Sequence, residues 1–285
     1  MKPGGHLLRL AAVLACAAPA LHPALAQEPP RPPADTFYAT ATVRERPLES
    51  ATAAVTVIDR ATIEASGART VAELLRLTPG VDVTTNGTRG GFTTAQIRGG
   101  DPNFTLVLLD GVPLNDPTYQ VGDAFDLEGL ATAAIERIEI VRGPLSAVYG
   151  STGLAGAIHI FTREGKPGAP VPEAEVFGGN GRLRGANASL SGGLGRSTPG
   201  DGGARRGTWF FGVSSEEERH LVAAESFRQL SAQGSLTLPL GDAARLLLRT
   251  RYADWDGDDY PDASGGPVYG SGELRHSEHQ EASLG

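Results

Sequence analysis

The sequence predicts an α+β N-terminal domain, a small mixed sheet with short helices, running into the first strands of an antiparallel transmembrane β-barrel. Three observations carry this. Between residues 54 and 162, short β-prone runs alternate with capped helical turns. Asp110-Gly111 sits between apolar runs and asks for a tight hairpin. From Arg228 to Leu240 the chain keeps a strict dyad: Leu230, Ala232, Gly234, Leu236, Leu238 and Leu240 share one face, and Gln229, Ser231, Gln233, Ser235 and Thr237 the other. A lipid-facing side with a wet lumen behind it demands that alternation. The 38 Gly and 20 Pro of the 285 residues suit turns and strands rather than long helices.

The ends and the charge narrow the setting. Lys2, His6 and Arg9 accompany the apolar run Leu7 to Ala20, and Ala24-Leu25-Ala26 precedes Gln27, so residues 1–26 read as a cleaved export signal. The single cysteine, Cys16, falls inside it, which leaves the mature chain without a disulfide or a thiolate metal site. A net charge of −8 supplies no basic excess for phosphate neutralisation and argues against nucleic acid as a partner. Residues 27–43 begin as a proline-rich leader, and Asp35 to Val43 is β-prone but too short for a core. Such a segment can add itself to a partner's sheet edge.

The following domain, residues 44–165, is read element by element. Ala54 to Ile58 is a strand, and Asp59 caps a helical turn over Ala61 to Ala65. Thr70 to Glu73 is a capping box opening a helix with Val71, Leu74, Leu75 and Leu77 on one face, stopped at Pro79-Gly80. Strands are expected at Val81 to Thr84, Gln96 to Gly99, Thr105 to Leu109 and Ile135 to Val141, with polar loops at Asn86 to Gly91 and Asn115 to Asp123. Ile138 to Thr162 then forms two strands around an Arg142-Gly143-Pro144 break. His159 is expected to be a packed residue rather than a ligand.

These motifs, in this order, resemble the plug domain of TonB-dependent outer-membrane receptors. The matching residues are Leu74 to Val81 for the L-L-x-x-x-P-G-V run, Ile97-Arg98-Gly99, Leu109-Asp110-Gly111-Val112, and Arg142-Gly143-Pro144 with Tyr149-Gly150. Ala155 to Ile160 departs from the common A-x-G-G-x-I-N-I by Ala for Gly and His for Asn. The resemblance implies a TonB box at Asp35, Thr36, Phe37, Tyr38, Ala39, Thr40 and Ala41, through which TonB and its inner-membrane energising complex would pull. It implies ligand contacts from Asn86, Thr88, Arg89, Asn115, Asp116, Tyr119 and Gln120, and a plug–barrel latch through Arg98 and Arg142. The ligand would be cobalamin or a ferric siderophore, and the site the outer membrane of a Gram-negative bacterium.

Residues 173–285 hold about six strands' worth of chain, where plugged barrels use about 22 strands, so an N-terminal part of a receptor is expected. Nucleotide-binding and hydrolase motifs are missing, which points to a non-enzymatic protein whose energy comes from outside. A non-transporting binding module or an inert fragment is the alternative. Asp254, Asp256, Asp258, Asp259 and Asp262 crowd what reads as an outer loop. Mutual repulsion there is relieved either by Ca2+ or by solvent.

Overall fold

The computed structural model describes residues 38–39, 46–47, 54–86, 89–115, 122–145, 150–194, 207–219, 226–240, 244–259 and 275–284. β1 (Tyr38–Ala39) pairs antiparallel with β2 (Arg46–Pro47). The remaining N-terminal elements are β3 (Ala54–Ile58), α1 (Arg60–Ser66), α2 (Val71–Arg76), β4 (Val81–Thr85), β5 (Thr93–Ile97), β6 (Thr105–Leu109), β7 (Val112–Pro113), β8 (Ile135–Arg142) and β9 (Gly156–Thr162).

The helices start and stop where their side chains dictate. Thr62 N–H donates to the Asp59 carboxylate at 2.8 Å, and Gly67 closes α1 at φ 66°. At α2, Glu73 N–H donates to Thr70 Oγ1, and the Glu73 carboxylate reaches back to accept from the Arg69 amide at 2.8 Å. Asp110 and Gly111 both take positive φ, 50° and 89°, so β6 and β7 turn through the two-residue hairpin expected. The strand expected at Gln96 to Gly99 lies earlier, at β5, because Arg98 and Gly99 both adopt positive φ and turn the chain.

The main sheet runs β3-β8-β9-β6-β7, with β6 and β9 parallel and the other pairs antiparallel. Val71, Leu74 and Leu75 of α2 pack against Ile138, Ile140, Ile158 and Ile160 of the sheet in one buried cluster. Gly156 is required where β9 begins: at φ 153° an added Cβ would stand 2.2 Å from the Val141 carbonyl oxygen.

A second sheet follows: β10 (Val171–Gly178), β11 (Arg184–Gly193), β12 (Thr208–Arg219), β13 (Ser226–Leu240), β14 (Ala244–Asp259) and β15 (Arg275–Leu284), antiparallel and in sequence order. It is built inside out. The polar side chains Gln229, Gln233, Ser235 and Arg251 are buried, whereas Val176, Leu190, Phe211, Leu240, Leu246 and Leu248 are exposed on the opposite face. The apolar face runs from Leu230 to Leu240 on β13, about 33 Å of strand. At the roughly 35–45° tilt of membrane barrels this gives a band of about 25 Å, the height of an outer-membrane hydrophobic belt.

The acidic stretch differs from expectation. Expected in an outer loop, Asp254, Asp256, Asp258 and Asp259 lie instead on β14, which continues to Asp259, spread along a ladder with β13 and β15. The dyad explains it, because Trp255 is buried between Asp254 and Asp256, a strand pattern rather than a loop. Among the described residues no group of three or more acidic, His or Cys side chains is placed to hold a metal ion. Asp262 lies outside the described residues.

Candidate functional site

The N-terminal domain rests against the polar face of the second sheet, and the seam between them carries most of the buried charge. At one end Arg89 is the hub. Its guanidinium lies 2.7 Å from Glu216 and 2.5 Å from Glu218 of β12, 3.7 Å from Glu128 and 3.9 Å from Glu73. Arg69 stands beside it, 3.5 Å from Glu216 and 3.7 Å from Glu218. The Arg89 side chain is 12% exposed, Glu216 6% and Glu128 5%. Phe227 lies under the Arg89 guanidinium at 4.7 Å, and its ring packs where a Cβ on Gly90 would come to 3.1 Å.

Two cations against four carboxylates set the protonation. Burial would lower the Arg89 pKa, but Glu216, Glu73, Glu128 and Glu218 together raise it. Burial pushes the Glu128 carboxyl above its usual range, with Arg89 and the Thr93 and Gly90 donors only partly opposing. Burial acts in the same direction on Glu73, but there the Arg69 amide and the Arg89 and Arg69 guanidiniums prevail and hold it below the usual range.

Farther along the seam Arg249 of β14 contacts Asp110 at 3.2 Å and also pairs with Glu164. Asp110 is kept in place by the Thr162 amide and hydroxyl, at 2.9 and 2.6 Å. Arg251 donates to the Gly129 carbonyl at 2.8 Å, and Ser235 to the Arg163 carbonyl at 3.1 Å. Between these points Trp255 lies so close to Gly129 that any Cβ there would stand 2.5 Å from the ring. The seam also leaves a cavity of about 260 Å³ between the Gly129–Ile135 segment and β10 to β13, walled in part by Asn187, Ser189, Ser231 and Gln233. That is room for several waters.

Comparison with known proteins places this arrangement. Residues 47–157 match the TonB-dependent Receptor Plug Domain. The chain belongs to the TonB-dependent receptor family. It is 32% identical over 233 residues to the vitamin B12 transporter BtuB of Photobacterium profundum, covering 82% of this chain and 37% of that protein. It superposes on Pseudomonas aeruginosa FpvA with a TM-score of 0.66 at 17% identity, over 86% of this chain and 32% of the receptor. The siderophore receptor PiuA of Acinetobacter baumannii gives 0.61 at 21% identity, over 78% and 29%. The two units are thus a plug domain and the strands of a partial barrel.

The plug's anticipated residues take varied places. Arg89, expected to touch ligand, points instead into the barrel wall as described. Asn115, also expected at the ligand, serves the plug: its Oδ1 accepts from Val107 N–H at 2.7 Å and its Nδ2 donates to the Thr105 and Asp123 carbonyls at 3.1 and 2.7 Å. Asn86 is exposed, with its amide closing the loop onto the Phe92 carbonyl at 3.0 Å. Thr88, Asp116, Tyr119 and Gln120 lie outside the described residues.

The expected latch arginines do not reach the wall seen here. Arg142 donates to Thr56 Oγ1 and the Pro79 carbonyl, both at 2.7 Å, and so ties β3 to the end of α2 inside the plug. Partial burial and the Arg98 charge lower its pKa. Arg98 is exposed and forms no ion pair among the described residues. Among the described residues, charged wall contacts are made by Arg69, Arg89 and Asp110, met by Glu216, Glu218 and Arg249, none of which was singled out as a latch. The available signal was charge at i, i+2 on the lumen face of a dyad strand. His159 is packed as expected, stacked on Phe161 with centroids 4.0 Å apart, and burial with the Arg137 charge lowers its pKa to about 4. Of the residues expected to form a TonB box, Tyr38 and Ala39 form β1; Asp35, Thr36, Phe37, Thr40 and Ala41 lie outside the described residues.

Proposed function

We propose that the chain is part of an outer-membrane receptor for energy-coupled uptake of a scarce ligand, with the plug closing the barrel and Asp35 to Ala41 coupling it to TonB. The observation that carries this reading is a plug domain held by buried Arg–Glu pairs against the polar face of a sheet whose other face is apolar over about 25 Å. A soluble binding module would have no use for that apolar face. The ligand is a cobalamin-class corrinoid in preference to a ferric siderophore. A relative 32% identical is a vitamin B12 transporter, whereas the siderophore receptors share the fold at 17–21% identity. The chain spans about 37% of the length of that relative, and the signal-like residues 1–26 support export from the cytoplasm.

The test is uptake of labelled cobalamin by cells expressing the protein in place of their own receptor, with and without TonB. Uptake that needs both the protein and TonB is the expected result. Ferric-siderophore uptake without cobalamin uptake would replace the ligand, and neither would refute the transport reading.

A further inference from the structure

Beyond the seam, one charged cluster lies on the face of the barrel turned away from the plug. Glu217 points outward from β12, between two glutamates that point inward, and is 11% exposed beneath three arginines. Arg184 of β11 pairs with it, Arg219 reaches it at 3.0 Å, and Arg228 of β13 at 3.8 Å. These side chains are 68%, 49% and 56% exposed. One carboxylate cannot use the donors of three guanidiniums, each with five N–H groups, so among the described residues most of those donors have no protein partner. Three guanidiniums gather on one side of the patch, and the carboxylates Asp256 and Asp254 stand on the β14 side of the same face. Asp256, opposite Arg228 in register, bounds it on the β14 side.

Its height on the wall is informative. Arg184, Glu217 and Arg228 are register partners in one row; the next outward row, Val176, Ala186, Ser215, Leu230 and Asp254, is mixed, and beyond it Val213, Phe211, Leu236, Leu248 and Leu246 carry the apolar band. The row therefore sits on the rim of the hydrophobic belt, at headgroup level. It lies at the end of β13 opposite the short connection 241–243, and short turns mark the periplasmic side of such barrels. The rim in question faces the outer leaflet.

We infer that Arg184, Arg219 and Arg228, pre-ordered by Glu217, form a binding site for the phosphate of an outer-leaflet lipid headgroup. Guanidinium forks match phosphate oxygens in pairs, and the apolar rows below accept the acyl chains. The site rests on the outer-membrane reading above but is independent of which ligand is transported.

The test titrates the detergent-solubilised protein with a bisphosphorylated lipid A, with the same lipid stripped of phosphate, and with inorganic phosphate, counting lipid-bound protein by native mass spectrometry. The phosphorylated lipid should bind more tightly, and the double variant Arg184→Gln/Arg228→Gln should weaken it about tenfold or more. Glu217→Gln, which removes the carboxylate that orders the three arginines, should weaken binding, and Arg245→Gln, at the other end of β14, should change nothing. Buried Trp255 emission reports that each variant keeps its plug seated. Equal binding of the stripped lipid, or an equal loss in Arg245→Gln, overturns the proposal. Displacement of the lipid by equimolar inorganic phosphate overturns the lipid assignment. Loss of cobalamin uptake with lipid binding intact would count against the transport reading alone.

Discussion

Replacing Arg89 with alanine should unseat the plug without unfolding it. The side chain is the principal cation among Glu216, Glu218, Glu128 and Glu73, at 2.7, 2.5, 3.7 and 3.9 Å. Without it Glu216 retains only Arg69, at 3.5 Å, and Glu128 loses the guanidinium that offsets its burial. Removing one partner from a buried ion pair costs about 3–5 kcal/mol, because the other charges stay desolvated. With a urea m-value of about 2 kcal/mol/M, the midpoint for plug release falls by about 1.5–2.5 M. Trp255 supplies the readout, since it is buried against Gly129 of the plug and should shift to the red when the two separate. The chain has two tryptophans, so a Trp209→Phe background isolates the signal. Arg89→Lys should fall between, because a point charge cannot serve Glu216 and Glu218 with separate N–H groups. A midpoint for Arg89→Ala within about 0.3 M of the parent would refute the latch, given that a shift that small is worth well under 1 kcal/mol.

Other perturbations test other parts of the seam and the plug. Gly129→Val places atoms inside the Trp255 ring position and should displace that indole, with red-shifted emission even without denaturant. Asn115→Ala removes three hydrogen bonds and should destabilise the plug by about 1–3 kcal/mol in denaturant melts, lowering ligand affinity only through loop order. Glu128 has a raised folded pKa, so its contribution to plug seating is complete below the unfolded value and is lost as pH rises through the folded one. Plug release should thus need more urea at mildly acidic than at neutral pH, and Glu128→Gln should flatten that rise. Glu73 acts in the opposite sense, its contribution disappearing as pH falls through its lowered value, which sets the acid limit. Deleting residues 35–41 should abolish uptake while leaving ligand binding to isolated membranes unchanged.

What could be read from sequence was whatever depends on neighbours in the chain. Asp110-Gly111 turns as its residue types require, Thr70 and Glu73 cap α2, and the dyad of β13 puts glutamine and serine on the buried face. Side-chain destinations across the seam were not legible, because Arg89 meets its partner 129 residues later and a polar loop looks the same whether it faces ligand or wall. The local roles of Asn115 and Arg142 were hidden for a related reason: each satisfies plug backbone that would otherwise lie open, a need visible only once the strands are packed. Glu216-Glu217-Glu218 shows how far pattern alone can go. Three adjacent carboxylates on a strand must point in, out and in, so a wall with plug on one side and lipid on the other needs cations on both. The inner pair finds Arg69 and Arg89, and the outer one Arg184, Arg219 and Arg228. One short acidic run thereby holds the plug on its inner face and orders a cationic rim on its outer one.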